Sequence, residues 1–292
     1  MRHETILDKI ARQDWLGEAG DALQPIVLQA FATGGPAGQK IKSFLHGTWL
    51  GHPLHPAITD VPIGAWTTAA ALDVLELCGQ PKLAPGADAA IAIGLVGALG
   101  AAVTGLTDWT GTTQRKRKIG LLHGLLNLGA TALYATSYVL RRKGVRGPAI
   151  GLSMAGYGVS AASAYLGASL VFTEQMGVDH TATSVEYPTE FVAVLPDAEL
   201  VEDTMKRVEA GEVPVLLARK NGEIFAIAHT CSHLGGPLSK GTLLPDGSVR
   251  CPWHGSVFSL ADGRVLNGPA TEPQPTFEVR VTDGQIEVRR SQ

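Results

Sequence analysis

The stretches CSHLGGPLSKG (231–241) and CPWHGSVFSL (251–260) decide how the C-terminal third of this chain folds. Each opens on a cysteine with a histidine two or three residues later, and seventeen residues lie between His233 and Cys251. Thiolates and imidazoles in such pairs are metal-ligating groups, so Cys231, His233, Cys251 and His254 form a candidate four-ligand set. The spacing by itself permits a Cys2His2 zinc site. The surroundings read as β structure. VPVLLAR (213–219) and IFAIA (224–228) flank Asn221-Gly222, and FEVRV (277–281) and IEVR (286–289) flank Asp283-Gly284. Such dipeptides between alternating runs signal tight hairpins. Val257–Leu260 precedes a third turn at Asp262-Gly263. Short strands so closely spaced predict a small antiparallel β domain.

Residues 189–290 resemble the Rieske ferredoxin family, on the two stretches above and on NGPAT (267–271). The flanking glycines, Pro237, Pro252 and the β context suit that family better than a zinc site. The resemblance implies a [2Fe–2S] cluster and electron transfer, with Cys231 and Cys251 on an inner iron and His233 and His254 on an outer one. Two neutral imidazoles in place of two thiolates make a cluster easier to reduce, at roughly −150 to +300 mV. The outer histidines would form the electron port, and their free ring nitrogens would titrate with the redox state. Rieske proteins of quinol-oxidising complexes carry a further cysteine in each loop, where this chain has Gly236 and Trp253. The ferredoxin branch is therefore expected, which suits a reducing compartment. Ser256 stands where that other branch bonds a hydroxyl to cluster sulfur, and Phe258 replaces its tyrosine, so an intermediate potential is expected.

Upstream the composition changes. Charged residues are only 17% of the 292, and residues 57–172 are apolar with glycine and alanine throughout. Four apolar segments, about 57–78, 87–107, 119–140 and 149–172, approach or reach the ~20 residues that span a bilayer. Asp60 and Asp73 interrupt the first, and Asp73 has Lys82 as a prospective partner. Small residues recur at four-residue spacing in Gly94, Ala98 and Ala102, in Gly97, Ala101 and Gly105, and in Gly156, Ser160, Ala164 and Ala168. In lipid such ridges let helices approach closely, within one bundle or against a second copy in a homo-oligomer. Four crossings put both termini on one side with Arg115, Lys116, Arg117 and Lys118. Lys82, Arg141, Arg142, Lys143 and Arg146 fall on the other side, so the positive-inside rule barely separates the two. The opening MRHETILDKIARQDWLGEAG lacks a signal-peptide core. A multi-pass protein of a bacterial inner membrane with a cytoplasmic β domain is expected.

The first apolar segment follows Gly51-His52-Pro53-Leu54-His55-Pro56. Residues 45–172 resemble an uncharacterised bacterial membrane family, domain of unknown function 2231, marked by this stretch. Alternating topology gathers His52, His55, Asp60, Asp108 and His123 at the face from which the β domain hangs. Ionisable groups in a membrane are costly and usually functional. A haem b held by His55 and His123 is one expectation, a quinone pocket or metal ion another, and loop-satisfying histidines the bland alternative.

The fold class expected is thus multidomain: an all-α four-helix transmembrane bundle, then an all-β Rieske [2Fe–2S] domain. The segments are an amphipathic 1–44 with Ile6, Ile10 and Leu16 on a surface helix, the bundle at 45–172, a linker at 173–188, and the β domain at 189–292. A net charge of −3 argues for no nucleic-acid partner. Cys78 makes an odd count of three cysteines, against a disulfide scaffold. The function expected is membrane-anchored one-electron transfer with a redox protein or quinone. Rival readings are a ferredoxin component of an oxygenase system, a membrane redox sensor and a quinol-oxidising enzyme.

Overall fold

The computed structural model describes residues 5–181 and 186–291. It divides into two compact units, Met1–Gly38 with Leu54–Gln175, and Gln39–Pro53 with Met176–Gln292.

The first unit is helical. Helix α1 (Ile6–Ala11) starts at a capping box between Thr5 and Asp8, and α2 (Asp14–Thr33) follows. Both lie against later helices: Gln24 Nε2 donates to the Trp109, Thr110 and Thr112 carbonyls at 3.0, 3.2 and 2.8 Å, and Lys118 Nζ donates to Ala11 O at 2.9 Å. Leu7, Ile10 and Leu16 are buried while Ile6 is exposed, so Leu7 takes the inward place expected for Ile6. Helix α3 (Gly35–His46) follows, its residues from Gln39 on belonging to the other unit. The described residues therefore form seven α-helices, and the four apolar segments become α4 (Leu54–Leu77), α5 (Ala84–Trp109), α6 (Gln114–Arg142) and α7 (Arg146–Phe172). By length and composition α5, α6 and α7 can cross a membrane. α4 packs along α5, and α6 along α7.

The bundle buries polar side chains beside an apolar core of Trp66, Ile91 and Tyr134, and it also exposes large apolar ones. Asp73, Ser137, Arg141, Ser153 and Ser163 are buried, while Ile93, Val96, Leu99 and Leu128 are more than half exposed. Asp73 pairs with Arg141, at 2.8 Å to Nη1 and 2.5 Å to Nη2, and accepts from Ser153 Oγ at 2.8 Å. Arg141, not Lys82, is thus its partner. A planar fork matches a carboxylate bidentately, which a point ammonium cannot do. Of the expected column Gly156, Ser160, Ala164 and Ala168, Gly156 is buried while Ala164 and Ala168 are exposed, so the column does not pack wholly within the bundle. The buried column on α7 is Ser153, Gly156, Ser163, Leu166 and Leu170. Steps of four residues advance about 40° around a helix of 3.6 residues per turn and leave the contact face. Alternating steps of three and four stay on it.

The second unit is mainly β. One sheet runs β1 (Val192–Pro196), β10 (Gln285–Arg290), β9 (Thr276–Thr282), β4 (Glu223–Ala228), β3 (Val213–Lys220) and β2 (Thr204–Ala210), all antiparallel. Lys220 pairs with Glu223 around Asn221-Gly222, and Thr282 with Gln285 around Asp283-Gly284, as the dipeptides predict. A smaller sheet orders β5 (Thr242–Leu243), β6 (Ser248–Arg250), β7 (Val257–Ser259) and β8 (Val265–Asn267). Leu216, Ile227, Leu238, Val249, Phe258 and Leu260 form a core that includes Cys231 and Cys251.

The units cut the chain differently from the sequence segments at 39–53, which belong with the β unit. Ser43 Oγ donates to Asn267 Oδ1, Gln39 Nε2 donates to the same oxygen at 3.1 Å, and Gly268 N donates to Ser43 Oγ at 3.3 Å. Residues 176–181, expected in the linker, also join it, with His180 N donating to Ser232 O at 3.0 Å. Of that linker, 182–185 lie outside the described residues.

Candidate metal centre

The two ligand stretches fold into matching loops, one between β4 and β5 and one between β6 and β7. In the first, Cys231 N donates to Gly236 O at 2.9 Å and Gly235 N to Cys231 O at 2.8 Å. In the second, Cys251 N donates to Ser256 O at 2.8 Å and Gly255 N to Cys251 O at 3.2 Å. Each turn closes through a glycine four residues after its cysteine, with φ of +76° at Gly235 and +77° at Gly255. A side chain there would be strained, which explains the shared glycine.

The loops bring the four predicted residues together as two pairs. The cysteines are buried, and each sulfur receives two backbone amides, from His233 and Leu234 at Cys231 and from Trp253 and His254 at Cys251. Such amides stabilise thiolate charge. The Cys231 side chain also hydrogen-bonds to Cys251, which holds the Cys251 thiol below its ordinary range; the same contact and burial push Cys231 up. The histidines are half-buried, their ring centroids 5.0 Å apart and planes at 85°. A Cβ on Gly236 would stand 2.8 Å from Cys251 Sγ and 3.2 Å from the Trp253 ring. The two positions that hold the extra cysteines of the quinol-oxidising branch therefore adjoin, and here an indole packs over a glycine.

This donor set fits a [2Fe–2S] cluster. A tetrahedral zinc needs all four donors at one point. Two sulfurs together and two imidazoles together suit two irons.

A third segment, 270–274, braces both loops. Ala270 N donates to the buried Ser256 Oγ at 3.0 Å, leaving that hydroxyl's own proton for another acceptor. Ser232 Oγ donates to Glu272 O at 2.8 Å. Gln274, 2% exposed, gives its amide nitrogen to Ala228 O and Thr230 O and accepts from Ser232 N at 2.7 Å. The sequence reading missed Gln274, because nothing local marks a glutamine forty residues from the loop it pins.

In the helical unit, His55 and His123 do meet, with ring centroids 6.4 Å apart. Asp108 lies within electrostatic reach of His55. His52 belongs to the β unit's segment 39–53 and is exposed, and Asp60 is also exposed, so the expected five-residue cluster reduces to the histidine pair and Asp108.

Fold and loops define a Rieske-type protein, and comparison with known proteins agrees. Residues 190–278 match the Rieske [2Fe-2S] domain family, and residues 51–180 match the family described as Predicted membrane protein (DUF2231). The anthranilate 1,2-dioxygenase ferredoxin subunit of Burkholderia cepacia is 37% identical over 90 residues, 31% of this chain and 82% of that protein. Apoptosis-inducing factor 3 of Homo sapiens is 36% identical over 118 residues, 40% of this chain, and the chain spans only 19% of its length. The ferredoxin of carbazole 1,9a-dioxygenase from Nocardioides aromaticivorans IC177 aligns with TM-score 0.33 and 22% identity, covering 35% of this chain and 98% of that one. The chain belongs to the Rieske [2Fe–2S] family through its C-terminal third. That family implies the [2Fe–2S] cluster; the relatives lend no support to haem b.

Proposed function

We propose that this protein is a membrane-anchored one-electron carrier whose cluster is held by Cys231 and Cys251 on one iron and His233 and His254 on the other. The observation that carries the reading is the pairing itself: two buried cysteines within hydrogen-bond reach of each other, and two half-exposed histidines 5.0 Å apart. When bound, the cluster supplies reversible one-electron chemistry. The backbone amides aimed at Cys231 and Cys251 stabilise its charge, and Leu238, Phe258 and Leu260 exclude water from the sulfur side. The histidine edge is left for a redox partner. Membrane anchoring is supported by the length and apolarity of α5, α6 and α7 and by the exposed Ile93, Val96, Leu99 and Leu128. The proposal places the chain in an inner membrane with its cluster on the cytoplasmic side.

The test is the full-length protein purified in mild detergent and examined by EPR before and after dithionite. A rhombic signal that appears on reduction, with two irons per chain, is expected. An EPR-silent protein carrying zinc overturns the reading. A second reading, in which the partner is a terminal oxygenase, draws on the 82% span of an oxygenase ferredoxin subunit. It predicts that the reduced protein passes electrons to such an oxygenase faster than to a quinone.

A further inference from the structure

The helical bundle repeats itself. His55 meets His123, Trp66 stacks on Tyr134 at 4.0 Å, and Asp73 pairs with Arg141. Each partner lies 68 positions after the other. The glycines that make room for the rings repeat too, 62 positions apart: Gly94 faces Trp66 as Gly156 faces Tyr134, and Gly105 faces His55 as Gly167 faces His123. The hairpins α4–α5 and α6–α7 are therefore two copies of one unit, and residues of α4 and α6 meet their own counterparts along the line between them. Parallel repeats in membrane proteins commonly place ligand sites at the repeat interface.

The two histidines are prepared identically. His55 Nδ1 contacts Ala101 O at 2.9 Å, and His123 Nδ1 contacts Ser163 O at 2.8 Å. Ala101 and Ser163 are again 62 positions apart. A carbonyl only accepts, so in both neutral rings Nδ1 carries the proton and Nε2 presents a lone pair. At His123 that nitrogen accepts from Asn127 Nδ2 at 3.2 Å, as this tautomer requires. An Nδ1–H bonded to a backbone carbonyl is the arrangement that orients and strengthens a metal-ligating imidazole. It disfavours a quinone, whose carbonyls need donors. Asp108 lies within electrostatic reach of His55, and the pair itself supplies two imidazole donors.

We infer that His55 and His123 are a two-imidazole ligand pair for a transition-metal centre inside the bundle, held by Nε2 of each repeat. The inference stands independently of the cluster, because its residues and its readout are separate. The metal has two possible sources, a free ion or the ion of a macrocycle.

The experiment uses full-length protein in mild detergent. Metal beyond the two cluster irons is counted, and the protein is then titrated with Zn2+ alone and with haemin alone. Wild type should bind one equivalent of one probe, and His55→Ala and His123→Ala should each weaken it at least tenfold while helical circular dichroism and cluster EPR stay intact. Saturation by haemin with sharp reduced absorption bands identifies a macrocycle, and saturation by Zn2+ identifies an ion. Asn127→Ala, which frees the His123 lone pair without removing a ligand, should bind several-fold more tightly than wild type, and unchanged binding counts against the inference. Should the histidine variants fail to fold, Asn127→Ala alone decides, since a purely structural role predicts no gain in binding. Equal binding by wild type and histidine variants, or none by wild type, overturns the inference.

Discussion

Both units of this molecule are organised around a pair of equivalent segments, and they differ in how the pairing is written. In the β unit the two loops keep the same residues at the same places: Cys231 and Cys251, Gly235 and Gly255, with a histidine just after each cysteine. In the helical unit the paired positions keep their places but not their chemistry. A tryptophan meets a tyrosine, an aspartate meets an arginine, and only the histidines and the glycines facing the rings are alike. The difference teaches what each pair must satisfy. A shared inorganic cluster demands like ligands on both sides. A packed interface demands only complementary shape and charge, so its two halves are free to diverge.

The comparison is broken most severely by removing a ligand. Cys251→Ser should abolish the reduced-state EPR signal and release iron, whereas the corresponding loss of a bundle counterpart should leave that signal intact. Next comes the buried ion pair. Arg141→Met strands Asp73 and should cost about 3–5 kcal/mol, while the double variant Asp73→Leu/Arg141→Met should recover most of it, measured by thermal unfolding in detergent. Recovery absent from the double variant would deny that the two residues stabilise the bundle as a pair. Smaller still is the contrast between the matching glycines. A Cβ on Gly94 would stand 2.2 Å from Trp66, and one on Gly156 3.1 Å from Tyr134. Gly94→Ala should therefore cost about 1–3 kcal/mol by overpacking, and Gly156→Ala clearly less. The finest adjustment concerns the cluster's potential. Hydrogen bonds to cluster sulfur raise it, so Ser256→Ala should lower the midpoint and Phe258→Tyr should raise it from an intermediate wild-type value in a redox titration.

A surface pair gives a pH effect of opposite character. Arg115 donates to Asp8 at 2.6 Å and holds that carboxylate down to about 2. A depressed acid stabilises above its unfolded pKa and loses that contribution as the pH falls. Docking of α1 should therefore weaken between about pH 4 and pH 2, seen as faster amide exchange at residues 6–11, and Asp8→Asn should remove the dependence.

Much of the molecule was legible beforehand. The hairpin turns at Asn221-Gly222 and Asp283-Gly284, the four long apolar helices and the two cysteine–histidine pairs depend on residues adjacent in sequence, whose preferences act locally. The failures came where distant residues choose among partners. Lys82 stands near Asp73 in sequence, but Arg141 reaches it across the bundle with a better-matched fork. Gln274 carries no local signal at all, since its task is to satisfy backbone groups of a loop folded against it.

The sequence alone determined the β-domain class, its four candidate ligands and the apolar helices, because fixed spacing, turn dipeptides and long apolar runs are local properties of a chain. Only the tertiary structure decided that residues 39–53 fold with the β unit, that 270–274 braces both ligand loops, and that the bundle is two copies of one hairpin. Those depend on which surfaces meet, and a pseudo-twofold interface preserves position rather than residue type. Its two halves can be recognised once their side chains face one another.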